Sequence, residues 1–131
     1  MNEATLVLLK PDAVKRRMIG QIIQRIEEQG WRIMKIRMIW FTPAQLEELY
    51  QQHKSQPWFD DQIKFMHSQE CVALEVQGEN AVAGLRRLVG PTRVLDREPG
   101  TIRWWSNDHR ENLAHCSDSP EAADRELRLL F

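Results

Sequence analysis

An α+β fold, a four-stranded antiparallel sheet with helices packed on it, is predicted by the order of periodicities along the chain and by its length. Short apolar or alternating runs of strand type are separated by stretches with helical spacing, and 131 residues supply one core but are thin for two. A single domain over residues 1–131 is therefore expected, without internal repeat, low-complexity tract or linker.

The elements follow in order. Thr5-Leu6-Val7-Leu8-Leu9 is a continuous apolar run with the look of a buried strand, and it leads straight into Lys10-Pro11-Asp12. Ile19, Ile22, Ile23 and Ile26 fall on one helical face, opposed by Gln21, Gln24, Arg25 and Glu28, with Gly30 as a stop. From Arg32 to Phe41, Met34, Ile36, Met38 and Trp40 share one parity and Lys35 and Arg37 the other, which predicts a half-buried strand with its apolar parity inward. Thr42-Pro43 with Gln45 reads as a capping box, opening a helix that carries Leu46, Leu49, Tyr50 and His53 on one face and so steers Tyr50 inward. A short helix follows Pro57, Cys71 to Val76 forms a strand, and Asn80 caps a helix through Val82, Leu85 and Val89 that stops at Gly90. After a long loop come a last strand and a helix opened by Ser119-Pro120, an N-cap with proline at the first helical position. The order β-α-β-α-α-β-α-loop-β-α fits a sheet of ferredoxin-like type.

Composition narrows the function classes. Eighteen basic against 19 acidic residues give a net charge of −1, which argues against a general binder of nucleic acid or membranes. Cys71 and Cys116 have neither zinc-site spacing nor disulfide-scaffold density, so a reduced, cytoplasmic setting is expected. The opening Met1-Asn2-Glu3 lacks a basic n-region, and no apolar stretch is long enough for a signal or a span.

Chemistry concentrates in the last quarter. An imidazole attacks phosphorus only when one ring nitrogen is unprotonated and aimed while the other is held by an acceptor. Glu126 falls on the inward face of the last helix with Ala122, Ala123, Leu127 and Leu130, where a carboxylate is costly without a donor. His115, just before that helix, is the available donor; a purely structural His-Glu pair is the plainer alternative. The segment from Gly90 to about Glu111 lacks periodicity, and its arginines, with Arg86 and Arg87 just before it, suit paired contacts to phosphate oxygens. Arg87, Arg97 and Arg110 are expected on the solvated surface. Lys10, at the exit of a buried strand, is placed to meet an anion.

In this pattern the chain resembles the nucleoside diphosphate kinases. The resemblance is carried in order by Lys10-Pro11-Asp12, Tyr50, Pro57-Trp58-Phe59, Met66-His67-Ser68, Gly90 with Thr92, Pro99-Gly100-Thr101-Ile102-Arg103, and Asn112 followed by His115-Cys116-Ser117-Asp118-Ser119. It implies that His115 takes the γ-phosphate of a nucleoside triphosphate such as ATP and gives it to a diphosphate, a ping-pong route through phosphohistidine. It further implies that Glu126 and Ser117 orient the ring, that Arg86, Thr92 and Arg103 bind phosphates, and that Lys10 and Asn112 meet the ribose. Tyr50 would sit beside the histidine and Trp58 would stack on the base. Mg2+ held mainly through the nucleotide phosphates, and a homo-oligomer built from dimers, are implied as well.

The chain departs from that pattern at several places. Gln52 stands where an acid is usual near the metal's water shell, Gln62 where the position beside the base is usually apolar, and Arg93-Val94 where Asn-Pro is common. Trp104-Trp105 replaces a small and an acidic residue; read as an extended segment, it places one ring under the loop and the other in a subunit contact. Cys116 replaces a glycine, at a cost of about 1–2 kcal/mol if that position has positive φ. Two alternatives remain from the residues alone: a nucleotide-binding regulatory homologue with weak turnover, and a ferredoxin-like interaction module whose histidine and arginines are structural.

Overall fold

The computed structural model describes residues 2–131 and contains one antiparallel sheet in the strand order β2-β3-β1-β4. The strands are β1 (Asn2–Leu9), β2 (Arg32–Ile39), β3 (Cys71–Glu79) and β4 (Ala114–Cys116). Six α-helices accompany them among the described residues: α1 (Pro11–Lys15), α2 (Ile19–Glu28), α3 (Pro43–Leu49), α4 (Phe59–Met66), α5 (Ala81–Val89) and α6 (Pro120–Leu130). The predicted fold class and order hold. The one addition, α1, is five residues long, too short to show a helical period.

β1 pairs with β3 along its whole length and with β4 at its end, and Thr5 to Leu9 are buried without alternation because helices pack on both faces of this central strand. Val7 and Leu9 join Val72, Leu74 and Val76 beneath Ile22 and Ile26 of α2 and Leu85 of α5. Leu6 and Leu8 face the other way, with Ala73, against Leu46, Leu49, Tyr50, Ile63, Met66 and Leu130 from α3, α4 and α6. The sheet therefore has a helical layer on each side. None of the described helices is long and apolar enough to cross a membrane.

Two of the three expected helix caps form as their chemistry requires, and the third does not. Thr42 and Gln45 form both halves of the capping box, and Ser119 Oγ accepts from Ala122 N. Asn80 does precede α5, but it adopts φ 51° and its side chain makes no cap bond; the carboxylate of Glu3 accepts from Val82 N instead. Cys116 lies in β4 outside the left-handed region, so its replacement of glycine carries no backbone strain.

β2 contradicts its expected polarity. Met34, Ile36, Met38 and Trp40, expected inward, are 43%, 61%, 52% and 60% exposed. β2 is an edge strand with a bulge between Ile33 and Lys35, and although Ile36 and Met38 pair with Leu74 and Val72, no helix among the described residues buries them. Parity reveals which side chains share a face, but not whether another element lies over them.

Trp31 ties β3 to α5. Its indole lies where Gly78 and Gly84 would carry a Cβ, and its Nε1 donates to Glu79 O at 3.1 Å. Gly84→Ala should therefore destabilise the fold by roughly 1–3 kcal/mol, the usual range for overpacking. A urea midpoint matching the parent's would show that the indole can yield.

Candidate functional site

The site begins where β1 ends. Lys10 is buried, and its Nζ donates to Asn112 Oδ1 at 2.8 Å and to Arg110 O at 3.4 Å. Burial, reinforced by the Arg103 cation, lowers the Lys10 ammonium to about 7. Pro11 at the start of α1 turns Asp12 inward, where its Oδ2 accepts from Leu113 N at 3.0 Å. Lys10 N donates to Leu113 O at 2.9 Å, so the 10–12 segment grips Leu113 on both its amide and its carbonyl. Leu113 needs that grip, because at φ 77° its side chain crowds the backbone. The strained turn sets the path into β4.

β4 presents His115 opposite Leu8. The ring Nε2 lies 3.0 Å from Glu126 Oε1, which also accepts from Ser117 Oγ at 2.8 Å. The tautomer that satisfies this carboxylate carries its proton on Nε2, leaving the Nδ1 lone pair, which has no hydrogen-bond partner among the described residues, for attack. Burial pushes the Glu126 carboxyl up, but the hydrogen bond and charge of His115, with Ser117 and Arg125, carry it below its ordinary value. Tyr50 meets the imidazole edge-on, with ring centroids 5.9 Å apart, and its hydroxyl is buried.

The loop from Gly90 to Glu111 folds around two arginines. Arg103 donates to Gly90 O, Thr92 Oγ1 and Ala114 O, and burial lowers its guanidinium to about 10. Arg97, expected at the surface, is buried and donates to the carbonyls of Pro91, Thr92, Arg103, Ser106 and Asp108. Five carbonyls converging on one guanidinium satisfy a loop that has no ladder of its own. Ile102–Trp105 is a 3-10 turn and not an extended segment. Trp105 packs against the core beneath Arg25, whose guanidinium lies 5.7 Å from the ring centre, while Trp104 stays 49% exposed.

A cavity of about 430 Å³ opens beside these groups, lined among others by Lys10, Tyr50, Trp58, Thr92, Arg103 and Asn112. Six of the ten residues singled out from the sequence thus face one hollow. His115, Ser117 and Glu126 join it through Tyr50, which touches the imidazole, and Arg103, which holds Ala114. Arg86 does not line it; it faces a second hollow with Arg103 and Cys116. His53, whose ring lies 5.2 Å from that of Trp58, and His109 also line the first cavity. Sequence reasoning missed the roles of Asp12, Leu113, Arg97 and His109; for Asp12 alone a local signal existed, an acid directly after the Lys-Pro pair.

An imidazole held at one nitrogen and open at the other, beside a hollow lined by Lys10, Arg103 and Arg110, is the equipment of a phosphotransferase working through histidine. The comparisons agree. The family profile described as nucleoside diphosphate kinase matches residues 3–131. The chain is 42% identical over 132 residues to the nucleoside diphosphate kinase of Methanocaldococcus jannaschii, covering 100% of this chain and 94% of that protein. It is 45% identical over 133 residues to that of Streptomyces griseus, covering 100% and 97%. The crystal structure of the Aquifex aeolicus nucleoside diphosphate kinase superposes with a TM-score of 0.96 at 35% identity, covering 100% of this chain and 96% of that one. The chain belongs to the nucleoside diphosphate kinase family, and its activity is phosphoryl transfer between nucleoside tri- and diphosphates. The regulatory-homologue and interaction-module readings are not favoured.

Proposed function

We propose that His115 Nδ1 attacks the γ-phosphorus of a bound nucleoside triphosphate such as ATP, releases the diphosphate, and returns the phosphoryl group to a second diphosphate. The observation that carries this reading is the His115–Glu126 pair, 3.0 Å apart, beside the cationic hollow. Glu126 and Ser117 hold the ring. Arg103 and Thr92, already hydrogen-bonded to each other, meet the phosphates, with Arg86 approaching from the neighbouring hollow. Lys10 and Asn112, joined at 2.8 Å, meet the ribose as one unit, Tyr50 bounds the transferred group, and Trp58 offers a π-face that accepts any base. The test is direct: protein incubated with γ-labelled ATP and separated from nucleotide should hold label, and a different diphosphate should remove it.

Among the described residues the lining of the hollow includes no carboxylate, and Gln52 Oε1 is engaged by Arg125. That donor set fits Mg2+ arriving on the nucleotide phosphates and not on a protein cage. When bound there it would spread the charge that develops during transfer.

The lowered Lys10 gives a linked prediction. At pH 8 a group titrating near 7 is mostly neutral, while the terminal phosphate of a nucleoside diphosphate is already ionised. An anion in the hollow favours the ammonium, so binding should take up a fraction of a proton at pH 8 and much less at pH 6. Calorimetry in buffers of different ionisation enthalpy measures this, and equal uptake by Lys10→Met would assign the proton elsewhere.

We also propose a cytoplasmic homo-oligomer that uses the β2 edge. Met34, Ile36 and Met38 of the edge strand β2, with Trp40 just beyond it, form an exposed apolar stripe, the kind of edge that proteins cover. Exposed Trp104 is the second contact candidate, since Trp105 is already packed. Ile36→Glu and Trp104→Ala should each lower the mass measured by sedimentation at low concentration. If both variants keep the parent's mass, neither surface is a subunit contact.

A further inference from the structure

Glu126 divides its two oxygens. Oε1 takes His115 and Ser117, while Oε2 lies 3.7 Å from Arg125 Nη2 on the next position of α6. Arg125 does not spend itself on that pair alone. The same Nη2 donates to Gln52 Oε1 at 3.0 Å, and Nη1 donates to Glu48 O at 3.4 Å. Glu48 belongs to α3, and Gln52 to the 3-10 turn Gln51–His53 that follows it. This is the segment that brings Tyr50 and His53 to the cavity. One guanidinium, with its side chain one-third exposed, thus bridges the carboxylate behind the nucleophile and the wall of the nucleotide hollow.

We propose that Arg125 is a positioning residue for phosphoryl transfer, acting through Glu126 and tying its carboxylate to the Glu48–His53 segment. The inference rests on the reading of His115 and Glu126 given above. Its physical basis is that Gln52 Oε1 and Glu48 O are neutral acceptors, so among the described residues Glu126 is the anionic partner of Arg125, and the cation held 3.7 Å from Oε2 steadies the carboxylate whose Oε1 faces the imidazole. A lysine keeps the charge but loses the fork. A methionine loses both and keeps most of the apolar stem.

The experiment is a double-mutant cycle on the rate of phosphoenzyme formation at saturating ATP, with melting temperature measured for every variant. Arg125→Met should lower that rate by roughly 3- to 10-fold while changing nucleotide affinity by less than about twofold, and Arg125→Lys should recover much of the loss. In a Glu126→Gln background, Arg125→Met should add less than about a further twofold, because its target is already gone. A loss of equal size in both backgrounds, or no recovery with lysine in a folded protein, overturns the proposal while leaving the Glu126 reading intact. A Glu126→Gln variant that turns over normally overturns both. Should Arg125→Met fail to fold, Arg125→Gln against Arg125→Lys carries the same comparison.

Discussion

His115→Ala should abolish labelling of the protein by γ-labelled ATP and lower turnover by on the order of 10⁴-fold or more, the scale seen when a covalent nucleophile is removed. The expectation rests on the ring's setting. Nε2 is engaged by Glu126, Nδ1 has no hydrogen-bond partner among the described residues, and Tyr50 packs on the imidazole from the cavity side. Because the side chain is 22% exposed in the middle of a short three-residue strand, its removal should leave the fold in place, and nucleotide affinity should change little. Phosphohistidine is acid-labile and base-stable. Label that survives acid, or that His115→Ala retains, would place the nucleophile elsewhere.

What the chain disclosed in advance divides by the range of the interaction. The capping box at Thr42, the cap at Ser119 and the stops at Gly30 and Gly90 are contacts within a few residues, and each is found where the residues put it. The buried run of β1 was equally plain, since five apolar or small residues in succession leave no face for water. The inward position of Glu126 followed from helical spacing, and its partner from proximity. Lys10 was read as anion-facing from its place at a strand exit, but that it shares a site with Asn112, 102 residues away, was legible only through the family resemblance, because nothing local says that one strand exit meets the other end of the chain.

The misreadings share one cause. Met34 to Trp40 alternate in type, yet both parities from Met34 to Met38 are exposed, because burial depends on which border of the sheet the helices cover. Arg97 looks like its solvated neighbours until the loop closes and five carbonyls need a donor. Leu113 carries no mark of its positive φ, because the conformation is imposed from Lys10 and Asp12 and leucine itself does not favour it. In each case the deciding atoms lie outside the window in which periodicity or propensity is read.

Glu126→Gln should lower turnover by roughly 10- to 1000-fold with little change in nucleotide binding, scaled from the usual worth of a positioned acid-base partner. The substitution is isosteric, so the amide oxygen can still accept from His115 Nε2–H and from Ser117, and the 3.0 Å contact can persist. What is lost is the negative charge, which steadies Nε2–H as positive charge develops on the ring during attack. The pH dependence separates this electrostatic role from simple packing. The Glu126 carboxyl titrates below its ordinary value in the folded protein, so its contribution to stability is present above the unfolded carboxylate range and is lost as pH falls through the lower folded value. The parent should therefore lose stability more steeply than Glu126→Gln at acid pH, and the difference between them should vanish once both are uncharged. Parallel stability curves, together with unchanged turnover, would mean that the carboxylate only fills space beneath the histidine.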